Sequence, residues 1–121
     1  MNRVVHFEIP ASDPDRVMKF YQSVFGWKFN RFGEAEYWIV ETGPAAQPGI
    51  NGAIMKRRDA NQPVANSIEV ENIDRAVESV AKNGGQIVVP KTTIPAVGYF
   101  AFFKDPDENI FGLWHNDAKA K

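Results

Sequence analysis

At 121 residues the chain fits one domain, large enough to bury roughly two thirds of its unfolded surface in one core but not two. A formal net charge of −1 offers no electrostatic footprint for nucleic acid or an anionic membrane. The absence of cysteine removes disulfides, thiolate catalysis, cysteine-ligated zinc and iron–sulfur clusters together. The longest unbroken apolar run, Tyr99 to Phe103, is five residues, far short of a membrane span. His6 and Glu8 interrupt the N-terminal apolar stretch, so no secretory signal is expected. These features predict a soluble, cytoplasmic domain.

Residues 3–9 alternate, with Val5, Phe7 and Ile9 on one side and Val4, His6 and Glu8 on the other, the pattern of a strand with one buried face. Ser12 or Asp13 caps a following helix that has Pro14 in its first turn. Val17, Phe20, Tyr21, Val24 and Phe25 mark its apolar stripe, and Gly26 stops it. Strands are expected at 27–31, 36–41 and 50–56, and 59–64 reads as a linker. A strand at 66–71 then leads to a helix capped by Asn72 and stopped by Gly84-Gly85. A short strand at 86–89 is bounded by Pro90, and 92–98 reads as a seven-residue loop. The chain closes on a hairpin of 99–104 and 110–114, whose turn is Asp105-Pro106-Asp107-Glu108-Asn109. Residues 116–121 are expected to fray.

The order of elements repeats. Phe7-Glu8-Ile9 superimposes on Ile68-Glu69-Val70, and the apolar stripe of the first helix superimposes on Ile73, Ala76, Val77, Val80 and Ala81. The fold class predicted is α+β, with two tandem βαβββ modules at about 3–58 and 64–115 in a single domain spanning 1–121. The modules are expected to form one cupped mixed sheet with helices on its outer face.

Two stretches carry a resemblance to a known family. His6-Phe7-Glu8-Ile9-Pro10, followed by Phe20-Tyr21-x-x-Val24-Phe25-Gly26-Trp27, is similar to the opening strand and helix of the vicinal oxygen chelate superfamily. That group comprises glyoxalase I, bleomycin resistance proteins and extradiol dioxygenases. Asp105-Pro106-Asp107-x-Asn109-x-Phe111-Gly112-Leu113-Trp114 resembles its final hairpin, so the resemblance runs over residues 3–115. Where the family often has glycine in the hairpin turn, this chain has Glu108, and Asn109 is expected to take the positive φ instead.

The resemblance implies a cup between the modules. In catalytic members it implies a divalent metal bound by His, Glu or Gln and acting as a Lewis acid. Aligned by motif, the ligand positions fall at Val4, Ala53, Ala65 and Gly112, none of which can bind a metal. The expectation is therefore a glyoxalase/bleomycin-resistance-like protein that binds a small organic molecule, with no cofactor, and that pairs as a homodimer. The cup lining expected is His6, Glu8, Ser67, Glu69, Phe100, Phe102, Gly112 and Trp114. The same aromatic side chains could instead fill the concave face or a dimer interface. The alternative is a metal-dependent lyase, isomerase or dioxygenase that holds Zn, Ni, Fe or Mn at a relocated site of His6, Glu8 and Glu69. A third reading is an accessory domain working through its sheet surface. His115 is expected to face away from the cup, at the surface.

Overall fold

The computed structural model describes residues 1–121. Its elements run β1 (Arg3–Ala11), α1 (Pro14–Phe25), β2 (Lys28–Arg31), β3 (Tyr37–Glu41), β4 (Asn51–Lys56), β5 (Ala65–Glu69), α2 (Ile73–Lys82), β6 (Gln86–Ile94), β7 (Gly98–Lys104) and β8 (Ile110–Asn116). This is an α+β fold of eight strands in mixed sheet and two helices, written twice as βαβββ. Val5–Val64 makes one compact unit, and Ala65–Lys121 with Met1–Val4 makes the other. The first four residues join the second unit partly through Asn2 N–H, which donates to the Glu69 carbonyl at 2.7 Å.

In the first unit the strand order is β2-β3-β4-β1. The sheet is antiparallel except where β1 lies parallel to β4, with His6 opposite Asn51 and Glu8 opposite Ala53. Asp13 caps α1 by accepting from Arg16 N–H at 3.3 Å, with Pro14 at the first helical position. Gly26, at φ +73°, ends the helix in a left-handed cap. The core between helix and sheet holds Ala11, Val40 and Ile54, joined by Phe7, Ile9, Val17, Met18, Tyr21, Trp27 and Phe29. Ile54 is fully buried, and truncating such a residue to alanine costs about 2–5 kcal/mol. The apolar stripe on α1 is wider than the face that packs. Phe20, Val24 and Phe25 stay 57%, 55% and 61% exposed, because Val17, Met18 and Tyr21 already cover the core.

The second unit repeats the plan in the order β5-β8-β7-β6, with β5 parallel to β8. Asn72 caps α2 through Arg75 N–H, with Asp74 in the first turn and Lys82 in the last, matching the helix dipole at both ends. Its core holds Val70, Ile73, Ala101 and Leu113, flanked by Ile68, Ala76, Val77, Val80, Tyr99 and Phe103.

Four local expectations need correction. The strand ending at Pro90 instead continues to Ile94, and the loop shrinks accordingly. Pro90 is accommodated because β6 is an edge strand whose register shifts at Ile87/Val89 and Val89/Thr92. The tail is pinned rather than frayed: Asp117 N–H donates to the Val97 carbonyl, Ala96 N–H donates to the Ala120 carbonyl, and Ala120 is buried. His115 packs its ring against Tyr99 at 5.4 Å, and its Nδ1 accepts from Ile73 N–H at the start of α2. It thus faces the helix as a half-buried capping partner rather than lying free at the surface.

The last correction concerns the hairpin turn, where the positive φ falls on Glu108, at +64°, and not on Asn109. Asn109 is held by Asp105, whose carboxylate accepts from both its backbone and side-chain N–H groups. These bonds, with one from Asp107 N–H, lower the Asp105 pKa. A left-handed conformation costs a residue with a Cβ about 1 kcal/mol. Glu108→Gly should therefore stabilise the protein by about 0.5–1 kcal/mol in urea titrations, and a loss of stability would contradict the strain assigned to this turn.

Candidate functional site

The alternation of each strand sorts its side chains onto two faces. In the first unit Phe7 and Ile9 of β1, Val40 of β3 and Ile54 of β4 pack under α1. His6, Glu8, Tyr37 and Ala53 therefore share the opposite face. The order β3-β4-β1 places β4 between Tyr37 and the two β1 side chains, so the phenol must cross a whole strand to reach them. On β4 Tyr37 is paired with Met55 and Glu8 with Ala53, so the phenol runs diagonally and the single methyl of Ala53 leaves the Glu8 end of its path open.

The crossing produces a bonded triad. Tyr37 Oη lies 2.7 Å from Glu8 Oε2 and 3.0 Å from His6 Nε2. His6 Nε2 and Glu8 Oε2 are 3.7 Å apart, too far for a direct hydrogen bond. The phenol oxygen is thus the hub, donating to the carboxylate and facing the imidazole with its lone pairs. The side chains of His6 and Glu8 are 28% and 19% exposed, so the group is sheltered yet reachable. Burial pushes the Tyr37 pKa well above the ordinary phenol value, helped by the Glu8 charge and by the hydrogen bond to it, while Arg58 pulls the other way. Phe32 packs edge-on against the Tyr37 ring at 6.2 Å. Arg31 lies 5.4 Å over Trp38 on the other side of β3.

The second unit gathers the remaining expected residues on the corresponding face. Ile68, Ala101 and Leu113 pack under α2, which turns Ser67, Glu69, Phe100, Phe102, Gly112 and Trp114 the other way. Ser67 pairs with Gly112, Glu69 with Trp114, Phe100 with Trp114 and Phe102 with Gly112. Phe100 and Phe102 meet edge to face at 5.9 Å. Trp114 Nε1–H donates to Asn116 Oδ1 at 2.7 Å, and Asn116 Nδ2–H donates to Glu69 Oε2. Tyr37 and Asn116 were missing from the expected site. Tyr37 stands at the parity opposite Val40 on a strand whose Val40 is apolar and β-branched, so alternation alone could have found it.

The donor set is a poor match for a divalent metal. Ala53 and Ala65 are buried and carry no donor. A Cβ at Gly112 would collide with Ser67 Oγ and lie 3.1 Å from the Phe102 ring, so that position has no room for a longer side chain. The carboxylates of Glu8 and Glu69 each already accept a neutral donor. No group of three or more His, Asp or Glu side chains gathers closely enough to hold a metal ion. The residues present do not fit the divalent metal of the catalytic relatives.

A family model described as Glyoxalase/Bleomycin resistance protein/Dioxygenase superfamily matches residues 3–113. The chain belongs to this superfamily. Among its glyoxalase-like relatives, a Didymella fabae "Glyoxylase-like domain-containing protein" is 32% identical over 118 residues, covering 93% of this chain and 92% of the relative. CFP32 of Mycobacterium bovis, whose name marks it as a candidate glyoxylase, is 28% identical over 112 residues; the match covers 88% of this chain but 43% of CFP32. Among solved structures, a Streptomyces coelicolor methylmalonyl-CoA epimerase in complex with 2-nitronate-propionyl-CoA superimposes with a TM-score of 0.70 at 12% identity, covering 100% of this chain and 99% of the epimerase. A Mycobacterium tuberculosis methylmalonyl-CoA epimerase gives 0.68 at 13% identity, covering 94% and 87%. At these identities the structural matches show a shared glyoxalase fold. No helix is long and apolar enough to cross a membrane.

The triad makes a pH prediction. An unfolded tyrosine releases its proton near pH 10.0, whereas folded Tyr37 keeps its proton beyond that. Above this pH the unfolded state binds fewer protons, so the contribution of Tyr37 to stability is constant below it and is lost as pH rises past it. Of the three tyrosines, one should therefore ionise only together with alkaline unfolding, and Tyr37→Phe should remove that step from the tyrosinate absorbance curve. Ionisation of Tyr37 while circular dichroism still reports native structure would contradict its burial.

Proposed function

We propose that this superfamily member binds a small organic molecule over the sheet face that carries His6, Tyr37 and Glu8, without the divalent metal used by catalytic relatives. The supporting observation is the triad itself. Polar side chains from β1 and β3 are brought together across β4, sheltered and mutually hydrogen-bonded, away from the helix core. A few convergent polar groups among apolar surroundings are the usual construction of a small-molecule site.

Ser67, Phe100, Phe102 and Trp114 share one face of the second unit, and we assign that face, taken by itself, to ligand contact. A cytoplasmic homodimer belongs to this proposal as well, the compartment resting on composition and the pairing on the family. The distant structural neighbours include methylmalonyl-CoA epimerases in complex with 2-nitronate-propionyl-CoA or methylmalonyl-CoA. Glu8 and Glu69 each already accept a hydrogen bond within their own unit and Gly112 is crowded, which argues for a ligand recognised without a metal ion.

Elemental analysis of untagged protein purified without chelators tests the proposal, paired with a thermal-shift screen of small organic molecules. The expected result is metal far below stoichiometry together with at least one stabilising organic ligand. His6→Ala should weaken that ligand about tenfold, the value of one hydrogen bond near 1.4 kcal/mol. Stoichiometric Zn, Ni, Fe or Mn that disappears in His6→Ala would overturn the proposal in favour of a metal-dependent lyase, isomerase or dioxygenase.

A further inference from the structure

The hydrogen-bond arithmetic of the triad restricts what can bind there. A phenol has one proton to give. Tyr37 gives it to Glu8 Oε2, the shorter of its two contacts and the one to a group that only accepts when ionised. The Tyr37 oxygen then faces His6 Nε2 with lone pairs alone, so the 3.0 Å contact requires Nε2 to carry a proton. A neutral imidazole has one N–H. His6 Nδ1 is consequently left with its lone pair, and within its own unit it makes no hydrogen bond. Glu8 Oε1 is likewise an acceptor, since only Oε2 is engaged there.

We infer that Tyr37 is a positioning residue that holds His6 in the Nε2–H tautomer. The site thereby presents two acceptors, His6 Nδ1 and Glu8 Oε1, to a ligand that donates hydrogen bonds. The ligand class is a neutral or cationic molecule bearing hydroxyl, amine or amide N–H groups. A carboxylate or phosphate would bring lone pairs to lone pairs and negative charge to the Glu8 carboxylate. The inference names the ligand chemistry for the site proposed above and rests on that reading for its biological sense, but the tautomer is a property of the ligand-free protein.

Nitrogen-15 NMR of the histidine ring, at a pH where imidazole is neutral, reads the tautomer directly. Ligand-free protein should show His6 with Nε2 protonated and Nδ1 bare. A His6 ring protonated at Nδ1, or an even mixture, would overturn the inference while leaving metal-free ligand binding untouched. Tyr37→Phe should lose the preference, a spectroscopic change that packing alone would not produce; an unchanged Nε2–H tautomer in a folded Tyr37→Phe variant would overturn the positioning role. Phenol and benzoate, matched in ring and opposite in hydrogen-bond character, then probe the class at equal concentration. Phenol should shift the His6 Nδ1 resonance and benzoate should not. A response to benzoate at least as large, or no response to phenol, would overturn the assignment of Nδ1 as the accepting atom.

Discussion

One hydrogen-bonded crossing organises the candidate site: the Tyr37 phenol reaches over β4 to join Glu8 and His6 on β1. Adjacent strands lie about 4.8 Å apart, so a side chain on β3 must cover nearly twice that distance to engage a β1 partner. The reach is diagonal, from the Tyr37–Met55 pair to the Ala53–Glu8 pair, and the small Ala53 side chain leaves the Glu8 end of it open. Once made, the contact sets several properties together. It shelters a phenol whose proton is hard to remove, occupies one carboxylate oxygen, and ties up one ring nitrogen of His6. Hydrogen bonds to charged groups contribute about 1.5–3 kcal/mol, more than neutral pairs.

The two units solve the same local problem in opposite ways. Register pairs carry Glu8 onto Glu69, Ala53 onto Trp114 and Tyr37 onto Gly98, each by 61 residues (69 − 8, 114 − 53, 98 − 37). In the first unit the aromatic ring stands on the third strand and the small residue on the fourth. In the second the indole stands on the fourth strand, and Gly98 on the third makes room for it: a Cβ there would lie 3.0 Å from the Trp114 ring. The glutamate keeps its role in both, accepting from Tyr37 O–H in one and Asn116 N–H in the other. His6 corresponds to Ser67 on this offset, so only the first unit carries the imidazole and the basic chemistry it allows.

Much of the architecture was legible because local rules and the fold agree. Capping at Asp13 and Asn72, the stop at Gly26 and the alternation of residues 6–9 all appear as read, whereas Val5, expected on the buried face, stays exposed. Where local rules misled, a longer-range contact decided. Pro90 looked like a strand end but sits on an edge, where a missing N–H costs little. The polar tail looked unanchored, yet its backbone meets the loop at Ala96 and Val97. His115 looked like a surface residue because its partner, the first turn of α2, lies 42 residues away in sequence. The site was half legible. His6 and Glu8 stood out as polar residues opposite an apolar strand face, and alternation could have put Tyr37 on the polar face of β3, but only the strand order brings it to them across β4.

A double-mutant cycle tests the central interaction most directly. Stabilities of wild type, Tyr37→Phe, Glu8→Ala and the double variant, measured by urea unfolding at neutral pH, isolate the coupling across β4. The account predicts a favourable coupling of about 1–3 kcal/mol between these two positions, one strand apart from direct neighbours yet hydrogen-bonded. Additive single effects, within about 0.3 kcal/mol, would mean that the phenol and the carboxylate do not act together and would contradict the account.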